Sequence, residues 1–228
     1  MFQRYLEPLT VKTISQKWRD LIYAFFTYYG IAIICSIIIL LMDLFVVKIL
    51  HYPSISESHF RTEDYLSAMG LYKGVALISL KSPIIEELAF RLSLKPNRYK
   101  LSVSISALIY LLIDIVWYNS SFFHLVVVLF LCTLVFLFIN FFFDFNKLHI
   151  IYISQDKLLF VSSLSFGFIH LVNFTPFHKN LFFLYPVYIL PQIFLGFILG
   201  VIRIRNGFIW AVLLHIMVNG AVTWYRLF

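Results

Sequence analysis

The chain has 228 residues, of which 61% are apolar and 19% aromatic; only 13% are charged, against about 25% in an average soluble domain. That balance describes a polytopic membrane protein: roughly seven or eight spans of about 20 residues use nearly all of the chain and leave no separate soluble domain. The formal charge of +7 sits in loops and flanks and not along a basic stripe with interleaved aromatics, so nucleic-acid binding is not expected and the charge serves to orient the bundle in the bilayer.

Residues 1–20 read as a cytoplasmic or interfacial N-terminal segment. Leu9, Val11, Ile14 and Trp18 alternate there with Arg4, Lys12, Lys17 and Arg19, which suits a short helix lying on the membrane surface; a solvated tail is the alternative. No cleavable signal peptide is evident, because this segment is polar and the apolar run after it is longer than a signal peptide's hydrophobic region. Residues 21–228 then read as one all-α transmembrane bundle, with spans expected at about 21–48, 65–94, 101–117, 122–142, 157–173, 181–201 and 207–225. The 65–94 stretch is too long for one straight span, and Pro83 is expected to kink or divide it, hence a count of seven or eight. Pro186 and Pro191 are expected to kink the sixth span.

Seven crossings with the N-terminus inside put Arg4, Lys12, Lys17, Arg19, Lys95, Arg98, Lys100, Lys147, Lys157, Arg203 and Arg205 on the cytoplasmic side. The two cysteines, Cys35 and Cys132, fall inside apolar runs and read as packing residues, not as a disulfide or a thiolate site. The Phe-rich 122–145 run reads as lipid-facing. Gly196-x-x-x-Gly200 reads as close helix packing inside the bundle. Asp43, Lys73 and Asp114 lie toward the external ends of their spans, where snorkelling or a mutual ion pair accounts for them. His51, His59, His124, His149 and His178 fall in loops or at span edges and are expected to be exposed.

Three polar clusters interrupt the apolar runs: Glu86-Glu87-x-x-x-Arg91, Phe166-x-x-x-His170 and His215-x-x-x-Asn219. Ionisable groups are expensive at membrane depth, so they are functional candidates by default. On a helix Glu87 and Arg91 share a face and can pair, whereas Glu86, about 100° away, points to a different neighbour. His215 and Asn219 share a face, as do Phe166 and His170. Counted from the basic ends of their spans, Glu86, His215 and His170 lie roughly 14 to 20 Å deep, so three distant segments bring polar groups to one level. The set points to hydrolysis by activated water, with Glu86 as general base, the histidines orienting water or stabilising charge, and Asn219 donating to an oxyanion. The alternative is Zn²⁺ held by His170, His215 and Glu86. The absence of a His-Glu-x-x-His motif favours the metal-free reading.

The same clusters, in this order on separate hydrophobic segments, resemble the motifs of the CAAX protease and bacteriocin-processing (CPBP, or Abi) family of intramembrane endopeptidases. The surroundings are similar too: Ser162 through Leu171, and Gly196, Gly200, Arg205, Asn206, Gly207 and Trp210 leading to His215 and Asn219. One departure is Leu92-Ser93 where the family often has glycine soon after the arginine. The resemblance covers about residues 75–225 and implies an α-helical membrane bundle with catalytic groups at Glu86, Glu87, Arg91, His170, His215 and Asn219. It further implies a peptide or protein substrate in or at the membrane, and the depth of the motifs places its cleavage on the cytoplasmic half. A small chain without eukaryotic-type extensions reads as bacterial, which favours bacteriocin self-immunity or peptide processing over CAAX-tail removal. A non-catalytic immunity or accessory binder on the same fold is the alternative.

Overall fold

Thr13 opens the first helix with a capping box: its hydroxyl accepts from the Gln16 amide, and the Gln16 side chain accepts from the Thr13 amide. The structure is a computed structural model, and it describes residues 12–56, 59–60, 70–116, 122–142 and 153–227. Arg4, Leu9, Val11, Lys147 and His149, placed by the sequence in basic or interfacial segments, lie outside the described residues. The capped helix, α1 (Ile14–Lys48), runs on for 35 residues. No break in the helix falls near residue 20, and Ile14 to Asp20 continue the helix of the first expected span. The reason is tertiary. Lys12 pairs with Asp20 and donates to Asn206 at 3.0 Å, Asn206 donates to the Lys17 carbonyl at 3.4 Å, and Trp18 stands edge-on to Trp210 at 5.1 Å. These contacts dock the first turns on the bundle. At about 1.5 Å per residue α1 reaches about 50 Å, more than the roughly 30 Å of a bilayer core.

A short helix α2 (Leu71–Ala76), a π-helical turn (Leu77–Lys81) and α3 (Ser82–Phe90) follow as one continuous run. Pro83 lies in the first turn of α3, directly after the π turn, where it brings no backbone N–H for a carbonyl of that turn. The expected kink at Pro83 thus takes the form of a π turn. Arg91 caps α3, and a 3₁₀ turn (Leu92–Leu94) leads to α4 (Arg98–Val116). Helix α5 (Phe122–Phe142) matches its expected span. It packs on α4 partly through a reciprocal pair, in which the Ser106 hydroxyl donates to the Cys132 carbonyl at 3.1 Å and the Cys132 thiol to the Ser106 carbonyl at 3.4 Å. Both cysteines are free thiols within helices, as packing residues would be. Phe123, Phe130, Phe138, Phe141 and Phe142 point outward from α5. His124 is buried, contrary to expectation; its helix is not free on all sides but packs along α4.

Helix α6 (Gln155–Ile169) ends in a 3₁₀ turn (His170–Asn173). The segment expected as a span at 181–201 is broken instead, into α7 (Tyr185–Tyr188) and α8 (Leu190–Asn206). Pro186 and Pro191 sit in the first turns of these two helices, where a missing N–H costs nothing, so they start helices and do not bend one. Gly207, at φ +110°, separates α8 from α9 (Phe208–Leu227). The all-α expectation holds apart from a two-residue antiparallel ladder between β1 (His59–Phe60) and β2 (Phe174–Thr175).

By length and composition α1 and α5 are the described helices long and apolar enough to cross a membrane. A count of seven or eight crossings does not follow from the described helices, since two of the expected spans are subdivided. The buried core joins α1, α3, α6, α8 and α9 through Leu21, Phe90, Phe166, Leu199, Leu214 and Val218. Helices α6 and α8 approach so closely that a Cβ on Gly196 would lie 3.1 Å from the Ser163 backbone and one on Gly200 would run into the Leu159 side chain. The Gly-x-x-x-Gly motif therefore serves packing inside the bundle.

Asp43 forms no ion pair among the described residues. It is buried and takes hydrogen bonds from the Tyr188 hydroxyl at 2.8 Å, the Ile55 amide at 3.0 Å and the hydroxyls of Ser54 and Ser56. That corrects the expectation of snorkelling or an ion pair with Lys73: neutral donors satisfy a buried carboxylate.

Candidate active site

Helix α3 presents Glu86 and Glu87, and α9 presents His215 between them. His215 Nδ1 lies 3.0 Å from Glu87 Oε1, and its Nε2 lies 3.7 Å from Glu86 Oε2. A carboxylate accepts, so Nδ1 carries the proton toward Glu87 and Nε2 faces Glu86 with its lone pair when the ring is neutral. Both glutamates thus reach one imidazole, at opposite nitrogens, although they point in different directions from their helix. Glu87 has no exposed surface and its carboxylate also lies 3.6 Å from Arg91 Nε, one helical turn on. Arg91 is equally buried, and its guanidinium lies 4.1 Å over the face of Phe166, a cation–π contact worth about 2 kcal/mol when desolvated. The Glu87–Arg91 pair expected from the four-residue spacing is therefore present.

Phe166 is the hub of the site. His170, one turn further along α6, packs against it at 4.8 Å, and His215 meets it edge-on at 5.6 Å. His170 Nδ1 lies 2.7 Å from the Phe166 carbonyl, and since a carbonyl accepts, Nδ1 is the donor and Nε2 is left free. Ser162 supports the same junction by donating to the Phe90 carbonyl at 2.7 Å, tying α6 to the end of α3.

Glu86 and His170 line a cavity of about 150 Å³, together with Lys81, Tyr110, Asp114 and Asn173. The Glu86 side chain is 15% exposed, in contrast to Glu87 at 0%. Lys81 places its ammonium 5.2 Å above the Tyr110 ring. Sequence reasoning did not single out Lys81, Tyr110 or Asn173 for the site, although a lysine inside an apolar segment five residues before Glu86 was a usable signal.

Of the predicted residues, Glu86, Glu87, Arg91, His170 and His215 come together. Asn219 is engaged elsewhere: its amide donates to the Ile78 carbonyl in the π turn at 3.2 Å. Among the described residues no three His, Cys, Asp or Glu side chains are grouped to hold an ion; His215 and His170 each engage Nδ1, with Glu87 and the Phe166 carbonyl respectively, and His215 Nε2 faces Glu86.

At the basic end of the bundle, Lys95 donates to the Ile204 carbonyl at 3.2 Å in the last turn of α8. Burial, with Arg203 and Lys100 nearby, holds its amine below the ordinary lysine range. Arg203 donates to the Arg91 carbonyl at 3.3 Å and closes the end of α3.

Residues 141–221 match a family model described as Type II CAAX prenyl endopeptidase Rce1-like. No curated protein and no solved structure matches the chain. The matched stretch holds His170, His215 and Asn219, and the fold delivers Glu86, Glu87 and Arg91 to it from outside. The resemblance read from the motifs is thus met by a family of proteases: over residues 141–221, about a third of its length, the chain is similar to the Rce1-like type II CAAX prenyl endopeptidases.

Proposed function

We propose that the protein is a multi-pass intramembrane endopeptidase that hydrolyses a peptide bond of a membrane-associated peptide or protein, using water activated by Glu86. One observation carries this reading: of the two adjacent glutamates, Glu86 faces the cavity that His170 also lines, while Glu87 is locked against Arg91 and His215. Water between Glu86 and His170 Nε2 gives a proton to the Glu86 carboxylate as its oxygen adds to the scissile carbonyl carbon. The carbonyl becomes an oxyanion, which a donor at the cavity wall stabilises. Collapse breaks the C–N bond, and the proton passes from Glu86, directly or through His215 Nε2, to the departing amine. Glu87 and Arg91 hold His215 in the tautomer this transfer needs.

The basic residues Lys12, Lys17, Lys95, Arg203 and Arg205 gather where α1, α3 and α8 meet, which supports a cytoplasmic end at that level and an N-terminus on the same side. Peptide processing or bacteriocin self-immunity in a bacterial membrane is the role we favour. The test uses purified protein in phospholipid nanodiscs with an internally quenched peptide ending in a prenylated CAAX sequence, and with unmodified hydrophobic peptides. Cleavage of any of these, with fragments identified by mass, supports the reading; fragments absent for all of them, at protein concentrations that bind the peptides, would identify a binder.

A further inference from the structure

Between Gly74 and Glu87 the buried residues are Gly74, Ser79, Pro83 and Glu87. The first spacing is five and the next two are four, so the row of buried positions steps by one residue within the π turn. A π turn takes one more residue to close than an α turn, and each position beyond it lags an uninterrupted helix by about 100°. Without that residue Glu86 would point where Glu87 points now, toward His215, and Glu87, with Arg91 one turn on, would swing away from His215. The π turn therefore decides which glutamate faces the cavity.

The backbone shows what keeps the turn open. The Ser82 amide donates to the Leu77 carbonyl, five residues back. The Ile78 carbonyl has lost its α-helical partner in this way, and its π-helical partner would be residue 83, which is proline and has no N–H. Asn219 supplies the missing donor at 3.2 Å. One turn further along α9, Thr223 accepts from the Ser79 hydroxyl at 3.2 Å and donates to the Asn219 carbonyl at 2.7 Å. One face of α9, spaced by four, thus meets the preceding run at three points: His215 at Glu87, Asn219 at Ile78 and Thr223 at Ser79.

We infer that Pro83 and Asn219 are positioning residues that together maintain the π turn, Pro83 by leaving the Ile78 carbonyl open and Asn219 by filling it, and so present Glu86 to the cavity. The inference rests on the proposed endopeptidase reaction for its catalytic consequence and on the backbone geometry alone for its structural one.

The experiment is a double-mutant cycle of Pro83→Ala and Asn219→Leu in the full-length protein, read by thermal midpoint in detergent and by kcat and KM on the prenylated quenched peptide. In the Pro83 background Asn219→Leu strands a buried carbonyl, lowering the midpoint by several degrees and kcat by about tenfold or more with KM little changed. In the Pro83→Ala background residue 83 brings its own N–H, so Asn219→Leu shifts the midpoint by less than half as much. Asn219→Gln, which keeps an amide donor, recovers part of both losses and stands in if the leucine variant does not accumulate. Equal midpoint losses in the two backgrounds would overturn the inference. So would a kcat loss as large in the Pro83→Ala background as in the Pro83 background, which would mean that Asn219 acts on the substrate. If the wild type leaves the peptide intact, the endopeptidase reading fails on that probe and the midpoint cycle still decides the inference.

Discussion

Arg91→Met keeps most of the side-chain volume and removes the charge beneath Glu87. The Glu87 carboxylate, with no exposed surface, is then left with His215 Nδ1 at 3.0 Å, while its second oxygen makes no hydrogen bond among the described residues. Removing one partner of a buried ion pair costs about 3–5 kcal/mol, and the contact of the guanidinium with Phe166 at 4.1 Å adds up to about 2 kcal/mol. The two losses share one side chain and do not simply add, so a fall of about 4 kcal/mol is the expectation, a large part of the roughly 5–15 kcal/mol of an ordinary domain. Reversible unfolding in detergent micelles measures it. Glu87→Gln combined with Arg91→Met removes both charges, and most of the stability returns, because a neutral pair carries no unpaired buried charge. If Arg91→Met unfolds within about 1 kcal/mol of the wild type, at the level of an exposed ion pair, then Arg91 does not hold the site together and its place beneath Glu87 is wrong.

The other expectations concern the histidines, orientation and metal. Once either His170 or His215 is replaced by alanine, losing the second lowers kcat much less than in the wild type, because both serve one reaction centre; multiplicative losses in the double mutant would separate them. After replacement of Cys35 and Cys132, cysteines at positions 95 and 205 stay shielded from an impermeant thiol reagent in intact cells and one at 179 reacts, and the opposite pattern would reverse the bundle. Peptide cleavage survives prolonged treatment with a zinc chelator; loss of activity that added Zn²⁺ restores would assign His170, His215 and Glu86 to a metal.

What the sequence made legible was its polar chemistry. Glu86, His170 and His215 stood out because charged and imidazole groups are rare among Leu, Ile and Phe, and spacing by four gave the Glu87–Arg91 pair directly. The 122–142 helix was readable because its apolar run is unbroken. The π turn at Leu77–Lys81 was not, since in an apolar stretch the repeat of buried positions is hidden and Pro83 alone gives a break without its form. The extension of α1 back to Ile14 depends on Lys12, Asn206 and Trp210, contacts across almost the whole chain. Pro186 and Pro191 depart from expectation because proline bends a helix in its interior but starts one in its first turn. Asn219 illustrates the same limit: its partner, the Ile78 carbonyl, is a backbone atom that no side-chain pattern reveals.

The most direct measurement of the central claim is the turnover of purified Glu86→Gln on the substrate the wild type cleaves, with its unfolding followed in parallel. The amide preserves the shape of the side chain and removes the base, so cleavage falls to the limit of detection while the unfolding midpoint stays at the wild-type value. Cleavage at the wild-type rate by the folded variant would show that Glu86 is not the group that activates water.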